Sequence, residues 1–199
     1  MKIPHMGIRK EIPIITCAFL VTALAFITLT FKTPEVRAIV DPDEVSVNLG
    51  DTFEINVGIA DVVDLSAYNF ILYYDTAPID GVSVELPQGH FLEPFSKHEV
   101  LTTRHMEIHD DYNDTHGQIV ISVELISTAP VQGRVCTFQR SRLPIPARSG
   151  SGVLFTITFH CTKTGTSSLD LCRTHLYKYG GVPISHKSTH GYINAHSKT

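Results

Sequence analysis

From residue 41 onward, apolar and polar side chains alternate in short runs separated by Gly, Pro, Asp and Ser. EVSVNLGD (44–51) reads as a strand ending in a Gly50–Asp51 turn. TFEINVGIAD (52–61) puts Phe53, Ile55, Val57 and Ile59 on one face. AYNFILYYD (67–75) buries Phe70, Leu72 and Tyr74, yet its opposite face carries Ile71 and Tyr73 beside Asn69. DGVSVEL (80–86) turns Val82, Val84 and Leu86 inward, and HEVLTTRHMEI (98–108) is a weaker strand. GQIVISVELIS (117–127) buries Ile119, Ile121, Val123 and Leu125, which leaves Val120, Ser122 and Glu124 facing out. GVLFTITFHC (152–161), SSLDLCRTHLY (167–177) and HGYINA (190–195) complete nine strands. Short strands at this spacing, without helical periodicity after residue 40, predict an all-β, antiparallel sandwich or barrel.

The N-terminus follows different physics. Lys2, Arg9 and Lys10 precede Ile12–Phe31, a stretch with no charged side chain, and Val36 and Ala38 stand where small residues precede a cleavage point. The pattern is that of a signal peptide, with cleavage after Ala38, and the apolar stretch is also long enough for an uncleaved membrane-anchoring helix. Residues 1–38 are therefore read as leader or anchor and 39–196 as one domain. Both readings send that domain outside, where it is extracellular or held at the cell surface, with membrane contact through the N-terminal segment alone. Val131–Gly152, with its Arg, Pro, Gly and Ser residues, reads as a loop insertion between core strands.

The composition narrows the functions. A net charge of −4 over 199 residues leaves no basic footprint for nucleic acid. Cys161 has strand spacing that makes it a core residue, and Cys172 should face the other way, so a bridge between them is disfavoured. Pairing among Cys136, Cys161 and Cys172 stays open. His105 and His109 share a strand face about 13 Å apart, and neither they nor any cysteine has zinc-ligand spacing. HDDYNDTHG (109–117) departs from a calcium loop at the glycine and at the closing glutamate, so it reads as an acidic turn. Asn113-Asp114-Thr115 is an N-glycosylation sequon, which makes Asn113 a candidate acceptor on an exported chain. No nucleophile elbow is present, and no metal, cofactor or catalytic activity is expected.

Four stretches in order carry a resemblance: VDPDEVSVNLGDTFEINVGIADV, YNFILYYDTAPIDGVSV, SGSGVLFTITFHCTKTGTSSLDL and GVPISHKSTHGYINA. Together they resemble the cohesin domain, particularly the cohesin-like domains of exported prokaryotic and archaeal proteins. The resemblance implies a nine-stranded β-sandwich of jelly-roll topology, shared with several carbohydrate-binding modules. It also implies a non-catalytic module that binds a dockerin-like or other surface protein, often linked to polysaccharide breakdown. Calcium in such pairs belongs mainly to the dockerin. If 67–74 lies in the docking sheet, Asn69, Ile71, Tyr73, Val120, Ser122 and Glu124 are the expected partner-binding residues. Two other readings stay open: a carbohydrate-binding module, which with no Trp would lean on Tyr73, Tyr112, Tyr177 and Tyr179, and a purely structural surface domain. Asp75 is expected to accept backbone N–H groups and fix the chain after its strand.

Overall fold

The computed structural model describes residues 35–128 and 146–198, all strand, turn and connection with no helix among them. The N-terminal apolar helix, Cys17, Cys136 and most of the 131–152 insertion lie outside the described residues. Eleven strands follow in order: β1 (Arg37–Asp41), β2 (Glu44–Asn48), β3 (Thr52–Asp75), β4 (Ile79–Glu85), β5 (Glu99–His109), β6 (His116–Ser127), β7 (Arg148–Cys161), β8 (Gly165–Lys178), β9 (Val182–Pro183), β10 (Lys187–Ser188) and β11 (Gly191–His196).

The count differs from nine for identifiable reasons. The stretches 52–61 and 67–75 are one continuous strand, β3. Two-residue strands β9 and β10 carry too little sequence to show alternation. β1 lies partly in the segment that hydropathy assigns to the leader, yet Ala38 and Val40 are buried in the core. β1 therefore starts ahead of residue 39. At the other side of the insertion, β7 already starts at Arg148, so 148–152 is strand rather than loop.

β3 organises the domain. Its first half pairs antiparallel with β1 and β7; its second half lies between β6 and β8, also antiparallel. Between the halves, Asp61 and Asp64 take φ of 58° and 61°, a left-handed region that Asp tolerates better than most residues. The Asp61 and Asp64 N–H groups donate to Ser151 Oγ and Ser149 Oγ, both at 2.9 Å. These irregularities let one strand leave its first sheet and enter a second without a loop. Two short pairings are parallel, β1 with β10 and β2 with β11, which departs from the all-antiparallel expectation. Both join the two ends of the domain, and the chain between them supplies the crossover that parallel pairing needs.

The core fills the space between the halves of β3. Phe155 of β7 packs against Tyr68 and Phe70 at ring-centroid distances of 6.2 and 5.8 Å, and Phe159 meets Tyr74 edge-on at 5.1 Å. This is sheet-on-sheet packing, a β-sandwich. Phe70, Leu72 and Tyr74 are inward as their alternation requires, and so are Ile119, Ile121 and Val123. Cys161 is buried and Cys172 exposed, and both are free thiols. Val82 is a correction. A register shift between Gly81 and Ser83 turns it outward, 56% exposed, while Val84 and Leu86 do pack on the core.

Two side-chain arrangements lock connections to this frame. Tyr74 donates its hydroxyl hydrogen bond to Asp110 Oδ1, which also accepts Gly81 N–H at 3.0 Å. Burial first, then the Asp110 carboxylate, pushes the Tyr74 phenol far above its ordinary range. Gly117 faces this ring with no room for a Cβ. At the start of β7, Arg148 grips Glu99 through Nη2 at 2.7 Å and Nη1 at 3.2 Å, donates to Glu93 O at 2.9 Å, and covers the Phe95 ring at 4.0 Å. The side chains of Arg148 and Glu99 are 10% and 13% exposed, so solvent screens this pair little. The hydrogen bond from Arg148 is the main reason the Glu99 carboxyl lies below the usual glutamate range.

Gly117→Ala should destabilise the domain by about 1–3 kcal/mol through overpacking against Tyr74, read as a lower urea midpoint with an unchanged slope. An unchanged midpoint would mean the ring moves aside freely. For Glu99, a lowered folded pKa means its contribution is full above the unfolded value of about 4.3 and is lost as pH falls through the lower folded value. The stability gap between wild type and Glu99→Gln should therefore shrink from pH 5 toward pH 3. A gap independent of pH would remove the ionic role of the pair.

Candidate functional site

The outer face of the β5–β6–β3–β8 sheet gathers all six residues that alternation left facing out of strands 67–75 and 117–127. The register sets Asn69 opposite Ser122, Ile71 opposite Val120, Tyr73 opposite Gln118 and Ala67 opposite Glu124. Directly opposed residues share a face, so Ile71 and Val120 form an apolar centre with polar groups around it. All six are half-buried rather than fully exposed.

The flanking strands add residues that one-strand reasoning missed. On β5, His105, Glu107 and His109 stand opposite Ser122, Val120 and Gln118. Glu107 pairs with both histidines, His105 Nδ1 at 3.4 Å and His109 Nε2 at 3.2 Å, and these two contacts hold its carboxyl below the ordinary range. On β8, His175, Arg173 and Asp170 stand opposite Asn69, Ile71 and Tyr73. The signal for β5 was present in the alternation of His105, Glu107 and His109 with the partly buried Met106 and Ile108. That β5 and β8 border the face was not, because pairing is a long-range property.

One end of the face is aromatic. Tyr112, from the β5–β6 turn, lies over Tyr73 at 5.3 Å between ring centroids, with the planes tilted by 49°. Gln118 Nε2 donates to the Tyr73 hydroxyl at 3.0 Å. Tyr112 titrates above an ordinary tyrosine, first because of its hydrogen bond with Tyr73. The other end is a groove of about 270 Å³ lined by Ser66, Asn69, Arg104, Ser122, Glu124 and Tyr177, among others. Arg104 and Glu124 pair across it at 3.3 Å. Within it, Asn69 Oδ1 is buried and has no hydrogen-bond partner among the described residues. A buried acceptor left unpaired costs about 1–3 kcal/mol, so its retention asks for an explanation.

Asp75 closes the aromatic end. Its Oδ2 accepts the Ser168 N–H at 3.0 Å and its Oδ1 meets His116 Nε2 at 3.3 Å. It does accept a backbone N–H, but from β8, so it ties β3 to its neighbour rather than to the following turn. Asn113 lies in the exposed β5–β6 turn. Among the described residues, no group of three His, Cys, Asp or Glu side chains is arranged to hold a metal ion, and no helix is long and apolar enough to cross a membrane.

Neither a known protein family nor a curated protein sequence matches the chain by sequence. Solved structures do match it. A non-cellulosomal cohesin from the hyperthermophilic archaeon Archaeoglobus fulgidus superposes with a TM-score of 0.52 at 15% identity, over 81% of this chain and 91% of that one. The cohesin of a type I cohesin–dockerin complex from Clostridium thermocellum, Coh-OlpC with Doc435, gives 0.56 at 15% identity, over 82% and 95%. A cohesin module from a family 33 glycoside hydrolase of Clostridium perfringens gives 0.52 at 12% identity, over 83% and 100%. The chain has the cohesin fold. At this identity the likeness concerns architecture, and what the cohesin-fold face of this protein does rests on its own residues.

Tyr73→Phe should lower the Tyr112 titration toward the ordinary tyrosine range, because it removes the hydroxyl that raises it. Ultraviolet difference titration against Tyr112→Phe reads this directly. An unmoved transition would mean that the two hydroxyls do not interact in solution.

Proposed function

We propose that this chain is an exported, non-catalytic module that binds a protein partner of the dockerin class at the cell surface through the outer face of β5–β6–β3–β8. The observation that carries the reading is the buried, unpaired Asn69 Oδ1 beside the apolar pair Ile71 and Val120. A partner side chain donating a hydrogen bond there would satisfy the acceptor and cover the apolar centre in one step. Interfaces have this composition: an apolar middle, aromatic anchors and a rim of charges. Here Tyr73 and Tyr112 supply the aromatics and Arg104, Glu107, Glu124 and Arg173 the rim. Solved cohesins of the same architecture, such as Coh-OlpC, are held in complexes with dockerins, which supports the partner class. Export rests on the apolar N-terminal stretch, and a link to polysaccharide breakdown would come through the partner. Direct sugar binding is less well supported, since the Tyr73 and Tyr112 rings are tilted rather than coplanar.

The test is calorimetry against dockerin modules encoded in the source genome, with soluble polysaccharides in parallel. Tyr73→Ala should weaken dockerin binding by more than about 1 kcal/mol and leave the melting midpoint nearly unchanged. Binding to polysaccharide alone, or a fall in stability with unchanged binding, would overturn the reading.

A further inference from the structure

The β5–β6 turn carries the Asn113-Asp114-Thr115 sequon, which the docking reading does not use. Asn113 Oδ1 accepts the Thr115 N–H at 2.9 Å, the His116 N–H at 2.8 Å and the Thr115 hydroxyl at 3.2 Å. The turn is thus held by the carbonyl oxygen of the Asn113 side chain, an Asx-type arrangement. N-glycosylation uses the other end of the same amide. Nδ2 forms a bond to the sugar's anomeric carbon and loses a proton, and a lipid-linked diphosphate leaves with the electron pair of the broken C–O bond. The carbonyl oxygen stays an acceptor throughout. The acceptor chemistry and the turn therefore draw on different atoms, and the sequon Asn113-Asp114-Thr115 lies wholly in exposed chain.

The neighbouring residue gives the site a consequence. Tyr112 is 49% exposed and packs on Tyr73 at the aromatic end of the sheet face. We infer that Asn113 carries an N-linked glycan, donated from a lipid-linked oligosaccharide, which stands at the Tyr112 rim and restricts access to that end of the face. The acceptor assignment rests on export; the rim effect also rests on the docking reading.

The test begins with intact mass and peptide mapping of the full chain purified from its native host, beside Asn113→Asp and Thr115→Val made in that host. Asn113→Asp keeps the carbonyl-type oxygen and removes the acceptor nitrogen; Thr115→Val breaks the sequon. A glycan-sized increment on the Asn113 peptide, lost in both variants while Asn113→Asp melts like wild type, is the expected result. An unmodified wild type, or an increment that persists in Asn113→Asp, overturns the assignment. Tyrosine nitration then reads the rim. Tyr112 should react more slowly in the glycosylated chain than in Asn113→Asp, and equal rates would remove the effect on access. Neither readout needs a docking partner, so failure here is separable from failure of the docking reading.

Discussion

The fold depends on a single strand passing from one sheet to the other. β3 can do so because Asp61 and Asp64 accept left-handed backbone conformations and because Ser151 and Ser149 satisfy their N–H groups. Asp61 and Asp64 are themselves exposed and flank the buried Val62 and Leu65, so the two bonds fix the course of the irregular stretch against β7. The crossing gives β3 two sets of neighbours. Its first half anchors β1 and β7, and its second half holds β6 and β8 in register. The candidate face is built on that second half.

That face inherits its rigidity from what lies behind it. Phe70, Leu72 and Tyr74 alternate with Asn69, Ile71 and Tyr73, so each outward residue is fixed by a buried neighbour on either side. Tyr74 is the most constrained of these. Its ring excludes a Cβ at Gly117, and its hydroxyl is committed to Asp110. The same contact positions the turn that brings Tyr112 onto Tyr73. A buried tyrosine on the inner face thus sets the aromatic end of the outer face.

Much of this was legible in the chain. Every strand from 44 onward that shows clear alternation forms, and the inward residues of 67–75 and 117–127 are the ones expected. The apolar outer pair Ile71 and Val120 was visible as a departure from polar-out patterning, and its reading as a docking centre is a matter for binding measurements. Val82 faces outward because a bulge shifts the phase by one residue, which composition alone does not reveal. β1 was masked because Ala38 suits a cleavage site and a core strand equally. The strand face shared by His105 and His109 was legible, but its place beside β6, with Glu107 opposite Val120, depends on long-range pairing.

Period-two alternation is local, so it determined which side chains of each strand are buried and which are offered to solvent. It also carried the acidic turn at 109–117 and the absence of helical segments among the described residues. Which strands stand side by side was decided by the tertiary structure alone. So were the sheet-switching course of β3, the parallel meeting of the two ends of the domain, and the burial of Asn69 Oδ1 without a partner among the described residues. These depend on residues distant in sequence closing on one another around a shared core, and the free energy of that closure belongs to the whole packed set rather than to any one stretch.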